Sequence, residues 1–429
     1  MKNSKEWKGK WVIVTPDNVE IIVHGTLSYS PLNGCVLKVS TDDTSRIASE
    51  YIFDTDKFHT INGMDDEKHE YVLLRKCILI SGSWTMGLSA TFTVGEIIEN
   101  VYYEGSDSLK FDKTVTEYSA LAEWLGINGM TSKFDSTEAN LALYKFTYQQ
   151  PQAIEYDLND EIILKFFFGY KAGGGSSTTS VFQFSNICYV YVCSKVGEMD
   201  INKLDKYSEH FRKILSIFYH NYCFIYGQSY LSNSYEGITF TKYAKQNGLD
   251  NSKNHPSGRS PIVEFKDFKD NADKIFKNWF LYGESDDLTY VSWIASKSLS
   301  PFSEEVFLEN ARALEVLHKT KNKKSTFRNS LTVMFSNIKE KCDSDNFARL
   351  FSDLSRTIHL IKVNRNYLTH YGDGSIEDED RLEIEELYRL TLKCKIVLIT
   401  TILEQIGISP ENTFRELCGF VAWLLPGRS

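Results

Sequence analysis

Residues 247–261 read NGLDNSKNHPSGRSP, a stretch in which Asn, Ser, Gly and Pro crowd between two differently patterned halves of the chain. Before it the sequence is a series of short apolar and aromatic runs: VEIIVHGTLSYS (19–30), YVLLRKCILISGSW (71–84), ATFTVGEIIENVYY (90–103), EIILKFFFGY (161–170) and VFQFSNICYVYVC (181–193). Their length and β-branched or aromatic content predict strands. Partial alternation, as in HGTLSYS (24–30), turns one face of a sheet to a core. Two amphipathic segments, YSALAEWLG (118–126) and KYSEHFRKILSIFYHNY (206–222), read as helices set among those strands. After residue 261 the period changes to three and four. SEEVFLENARALEVLHK (303–319), STFRNSLTVMFSNIKEKC (325–342), DNFARLFSDLSRTIHLIKVNRNYLTHY (345–371), the long run at 376–407 and SPENTFRELCGFVAWLL (409–425) each predict a helix. The expected fold is α+β: a β-rich sandwich or distorted barrel over 1–246, a linker at 247–261, and an all-helical bundle over 262–429.

Composition bounds the function. With 429 residues, 42% hydrophobic and 24% charged, the chain is globular. Lys plus Arg is 48 against 57 Asp plus Glu, a net charge of −9, which excludes a protein-wide basic field but not a local anion site. The 14% aromatic content favours sheet-rich packing. Eight cysteines show no CxxC pair and nine histidines no HExxH pattern, so neither a metal nor another cofactor is expected. The apolar run from Ile396 to Leu403 is too short to span a bilayer, and MKNSKEWKGKW lacks a leader's apolar core, so the expectation is a soluble cytoplasmic protein without membrane contact. Gly173–Gly175 lack the pattern of a phosphate loop and read as a flexible loop.

The chemistry concentrates at Asn364-Arg365-Asn366-Tyr367-Leu368-Thr369-His370-Tyr371, before the helix-stopping Gly372 and Gly374. Phe347, Leu350, Leu354, Ile358 and Ile361 form the apolar stripe of the helix, and Arg365 and His370 lie beyond it. Five positions separate the two, about 140° net around an ideal helix. They meet only if the last turn unwinds or a second copy supplies the partner. A guanidinium offers donors to phosphate oxygens and an imidazole exchanges protons near neutral pH, which together suit phosphodiester cleavage. A histidine stabilised at a helix C-terminus beside a solvated arginine fits the same residues. His359 has no specific partner in its local sequence and reads as structural.

RNYLTH (365–370) resembles the R-N-x3-H form of the R-x4-6-H motif of the HEPN ribonuclease superfamily. ALEVLHK (313–319), WKGKW (7–11), HGTLSYS (24–30), INGM (61–64) and YSALAEWL (118–125) resemble its ApeA-like branch. That resemblance implies a bacterial antiviral defence protein of the abortive-infection kind. Its HEPN-like domain over 262–429 would cleave RNA, with tRNA the expected target, after a phage-derived trigger acts on a sensing or regulatory domain over 1–246. It also implies a homodimer or higher even oligomer, pairing two motifs across one cleft. Arg365 would polarise the scissile phosphate, His370 act as general acid or base, and Asn366 hold the backbone or a phosphate oxygen. Glu315 would orient Arg365 or His370, though pairing with His318 or Lys319 suits it equally. His318, Lys319, Lys323 and Lys324 would bind RNA, within a basic cluster that also holds Arg312, Lys321 and Arg328. Tyr367 and Tyr371 would stack on bases or pack across a dimer seam. Most of the acidic positions between 377 and 386 read as a solvated N-terminal turn, with repulsion of RNA at rest as a secondary reading. Two other readings stay open: noncatalytic RNA binding by the same residues, and a ligand-sensing β-domain joined to a helical dimeriser.

Overall fold

Trp7, Trp11 and Ile13 alternate with solvent-facing residues along β1 (Lys5–Val14), and this period of two starts the first core. The computed structural model describes residues 4–14, 19–41, 52, 58–83, 88–102, 109–135, 143–173, 183–245, 260–320, 322–370 and 380–421. Strands β2 (Glu20–Ser30), β3 (Gly34–Thr41), β4 (His59–Asp65), β5 (Tyr71–Ser83) and β6 (Leu88–Glu99) join β1 in antiparallel pairs. The pairs run β1–β2, β2–β3, β3–β6, β6–β5, β5–β4 and β4–β1, so the sheet closes into a six-stranded barrel without a free edge. Two glycines of the quoted motifs serve this closure. Gly63 lies opposite Trp11, and a Cβ there would sit 2.1 Å from the indole. A Cβ on Gly9 would meet the Met64 carbonyl oxygen at 2.0 Å.

A second sheet grows from the barrel wall. It uses β8 (Lys113–Tyr118), β11 (Ile154–Asp157), β12 (Ile162–Gly173), β13 (Gln183–Ser194), β15 (Ile225–Leu231) and β16 (Phe240–Ala244), in the order β11-β12-β13-β8-β15-β16, and β16 pairs with β6. β7 (Lys110–Phe111) with β14 (Met199–Asp200), and β9 (Met130–Asp135) with β10 (Leu143–Tyr148), form two small ribbons. Helices α1 (Leu121–Leu125) and α2 (Ile201–Phe218) pack on this sheet. The β-rich half is therefore a barrel fused to a helix-covered sheet.

The remainder is helical: α3 (Ala272–Tyr282), α4 (Asp286–Ser296), α5 (Glu304–Lys319), α6 (Phe327–Lys341), α7 (Ser344–Leu350), α8 (Leu354–Thr369), α9 (Ile384–Ile406) and α10 (Pro410–Phe420). The single helix expected over 345–371 is broken. Phe347, Leu350 and Phe351 bury themselves in the core, and Asp353 then caps a new helix by accepting from the Arg356 amide at 2.8 Å. α9 is the bundle's axis, packing against α3, α4, α5, α6 and α10.

The hydrophobic cores divide differently from the chain. One fills the barrel, from Trp7 to Ile97 with Tyr243 added. The other runs from Leu73 and Ile98 through the second sheet and α2 into the whole bundle. Across the boundary stretch, whose residues up to 259 lie outside the described ones, Trp124 Nε1 donates to the Val263 carbonyl at 3.0 Å. Trp279 Nε1 donates to the His210 carbonyl at 3.0 Å, while His210 Nε2 lies 2.8 Å from the Trp279 carbonyl.

Candidate functional site

The apolar stripe of α8 continues through Ile358 and Ile361 to Leu368, all buried, with Asn364 occupying a core position between them. Arg365, one residue on, lies at the rim toward α5. Its Nη2 donates to Glu315 Oε2 at 2.9 Å, and its Nη1 donates to Asn366 Oδ1 at 3.2 Å. The guanidinium carbon lies 5.1 Å from the centre of the Phe327 ring, the first residue of α6. Three helices thus fix one cation. Glu315 serves two partners, since its Oε1 accepts from Lys319 Nζ at 2.6 Å. Glu315 therefore contacts both Arg365 and Lys319.

His370 caps α8 with φ −122° and ψ 62°, outside helical geometry, although its amide still donates to the Asn366 carbonyl at 3.0 Å. The ideal-helix angle between Arg365 and His370 therefore does not apply at the last residue. The imidazole is exposed and, among the described residues, makes no hydrogen bond. Asn366 is also exposed. The arrangement offers a pinned guanidinium and a solvent-facing acid–base group at one helix end.

The remaining candidates separate. His318 is buried at the end of α5, and desolvation pushes its imidazole below the ordinary value, which leaves it neutral near pH 7. Lys323 and Lys324 are exposed on the turn between α5 and α6. Tyr367 is half-buried, with the Arg381 guanidinium 4.9 Å above its ring. Tyr371, Lys321, residues 174–180 and residues 377–379 lie outside the described residues.

Asn364 carried no expectation of its own in the sequence, and Asp380 only that of a solvated turn. Asn364 Nδ2 donates to the Leu360 carbonyl at 3.0 Å and to the Asp380 carbonyl at 2.9 Å, and its Oδ1 accepts from the Leu382 amide at 3.1 Å. It clamps the chain where it returns toward α9. Asp380 is no solvated turn residue: His359 Nε2 lies 2.7 Å from its Oδ2 and Arg356 pairs with its Oδ1, and the hydrogen bond from His359 leads in holding its carboxyl below the usual range. His359 thus finds its partner 21 positions on, outside its local sequence. The available signal was Asn364 itself, a polar residue three positions beyond Ile361 on the buried stripe. Glu383 and Glu386 do form the expected N-terminal turn, as a capping box on α9. Among the described residues, no group of three or more His, Cys, Asp and Glu side chains could hold a metal ion, and no helix is long and apolar enough to cross a membrane.

Two family models match the chain: ApeA N-terminal domain 1 over residues 6–279 and Apea-like HEPN over residues 303–412. The chain belongs to the ApeA-like family. Comparison with curated proteins and with solved structures returns no match. The first ApeA-like match contains Trp124, Val263 and Trp279, the residues that fasten the β-rich half to the segment beyond 261. The second contains Glu315, Arg365 and His370. Membership in this HEPN/ApeA family is consistent with a nuclease-type function.

Proposed function

We propose that this ApeA-like protein is a metal-independent endoribonuclease of bacterial antiviral defence, with tRNA as its target. The observation that carries the reading is the Glu315–Arg365 hydrogen bond, which holds a guanidinium in place on the helix that ends at an exposed His370. In the reaction, one imidazole takes the proton of a ribose 2′-OH and the oxygen attacks the adjacent phosphorus. The bond to the 5′-oxygen breaks as a second acid protonates it, leaving a 2′,3′-cyclic phosphate and a 5′-hydroxyl. Arg365 stabilises the charge that develops on the phosphoryl oxygens, and Asn366 holds one of them or the neighbouring backbone. The step needs one group to take a proton and another to give one. A homodimer, or a higher even oligomer, supplies two copies of His370 for it. The acid–base pair and the arginine complete the chemistry without a cofactor. The domain over 1–246 restrains or triggers this activity in the cytoplasm when a phage product is sensed, and 247–261 links it to the HEPN-like domain over 262–429.

The test compares wild-type, Arg365→Ala and His370→Ala proteins for RNA cleavage, with fragment ends sequenced from challenged cells. Loss of cleavage in both folded variants, and cyclic phosphate ends from the wild type, support the reading. Full-rate cutting by folded His370→Ala protein overturns it. Binding without cleavage under activating and resting conditions would favour a noncatalytic RNA-binding role for the same residues.

A further inference from the structure

The turn between α5 and α6 borders an open basin of about 660 Å³, lined in part by His318, Asn322, Lys323, Lys324, Ser325 and Asn329. Among the described residues no carboxylate lines it, in a chain whose net charge is −9. The basin lies at the N-terminal end of α6, a helix of 15 residues capped by Thr326, whose hydroxyl accepts from the Asn329 amide at 3.3 Å. First-turn amides beside that cap and the helix dipole favour an anion there. A second observation points inward from below. His318 is only 9% exposed, lines the basin, and makes no hydrogen bond to a described residue through its ring. Burial keeps that ring neutral near pH 7, with one nitrogen to donate and one to accept.

The basin and the Arg365 site draw on neighbouring residues of α5 and α6, although Glu315, Phe327 and Arg365 are not among the basin's lining residues. Glu315, which holds Arg365, lies one turn before His318 on α5, and Phe327, which meets the Arg365 guanidinium, begins α6 just after Ser325. Its volume falls within the range of about 300–1,000 Å³ usual for small-ligand sites. Lysines and helix amides suit a phosphate. The exposed carboxamides of Asn322 and Asn329 and the neutral imidazole suit the donors and acceptors of an unstacked base.

We propose that this basin is a nucleotide subsite, which takes the phosphate and base edge of an RNA nucleotide adjoining the one that is cut. The inference rests on the nuclease reading for the position of that cut, but the basin's affinity for RNA is measurable without cleavage.

The experiment measures equilibrium binding of labelled oligo(A), oligo(C) and oligo(U) to full-length His370→Ala protein over a range of salt concentrations. Adding Lys323→Ala and Lys324→Ala together is expected to weaken binding to all three RNAs. It should make the dependence of log K on log salt shallower by about 1.4, at about 0.7 per phosphate contact on single strands. Adding Asn322→Ala and Asn329→Ala instead is expected to leave that slope unchanged and to abolish a preference of about 5- to 10-fold among the three RNAs. An unchanged slope in the first variant together with an unchanged preference in the second overturns the subsite, as does failure of every RNA to bind. If RNA binds through these residues but wild-type protein never cuts it, the nuclease reading falls and the subsite stands.

Discussion

Arg365 and Glu315 stand 50 positions apart and meet at 2.9 Å, with Arg365 27% and Glu315 14% exposed at the side chain. A carboxylate that also accepts from Lys319 at 2.6 Å is restrained on both oxygens, so it limits where the guanidinium can point. Glu315→Ala frees Arg365 without removing its charge. A charge-assisted hydrogen bond is worth about 1.5–3 kcal/mol, so the loss expected in RNA cleavage is about 10- to 100-fold. The effect should fall on kcat more than on RNA affinity, and Glu315→Gln should be intermediate. Wild-type kcat in a folded Glu315→Ala protein would remove Glu315 from the site.

Asn364 donates twice and accepts once while 2% exposed, so its three bonds have no water to replace them. Asn364→Asp keeps the shape and the acceptor, and turns a second acceptor toward the carbonyls of Leu360 and Asp380. Losing these donors inside the fold is expected to cost about 2–3 kcal/mol. Urea denaturation gives the stability, and hydrogen exchange at Leu382 and the start of α9 reports whether the chain has come loose there. Unchanged midpoint and unchanged exchange would mean that the clamp is decorative.

The strands of the barrel were legible because one face of each is buried, but its closure was not. Partial alternation, as in HGTLSYS, says which side is inside and nothing about which strand lies next to which, and the β3–β6 and β1–β4 pairs that close the ring join distant segments. Arg365 and His370 stood out by residue type and spacing, and the family resemblance singled out Glu315, whose contact with Arg365 only the fold brings about. Asn364 was hidden by its place on an apolar stripe, where its hydrogen bonds depend on a chain segment 16 and 18 positions on. Asp380 was hidden by its acidic neighbours, since only folding shows that Arg356 and His359 face it. The composition of 247–261 marked a change of secondary structure, but Trp124 and Val263 join the packing on either side of it.

Gly63 faces Trp11, whose side chain is fully buried and whose Nε1 donates to the Gly25 carbonyl at 3.1 Å. A methyl group at position 63 would lie 2.1 Å from Trp11 Cε3, and the indole has neither space nor free hydrogen bonding to move. Gly63→Ala is expected to destabilise the barrel by about 3 kcal/mol through overpacking. Gly169→Ala, where a Cβ meets nothing within 4 Å, is the control and should be neutral or stabilising by up to about 1 kcal/mol. Equal denaturation midpoints for the two variants would contradict this account of the INGM motif.

His210 and Trp279 tie α2 to α3, their rings stacked with centroids 4.4 Å apart. A carbonyl only accepts, so His210 Nε2, 2.8 Å from the Trp279 carbonyl, carries the proton of a neutral ring. Burial pushes the imidazole down to about 3, with Lys213 and Lys206 acting in the same direction against the carbonyl's hydrogen bond. The unfolded histidine titrates near 6.5, so as pH falls the unfolded chain takes up the proton first. The stability that the neutral ring confers is complete above about 6.5 and drains away toward pH 3, at up to about 1.4 kcal/mol per pH unit. Between pH 7 and pH 5 the wild type should lose about 2 kcal/mol to this residue. His210→Gln retains a donor for the Trp279 carbonyl and does not titrate, so its urea midpoint should fall less over the same interval. Parallel losses in the two proteins would show that His210 is already free to protonate in the fold, and that the α2–α3 clasp is looser than its 2.8 Å contact implies.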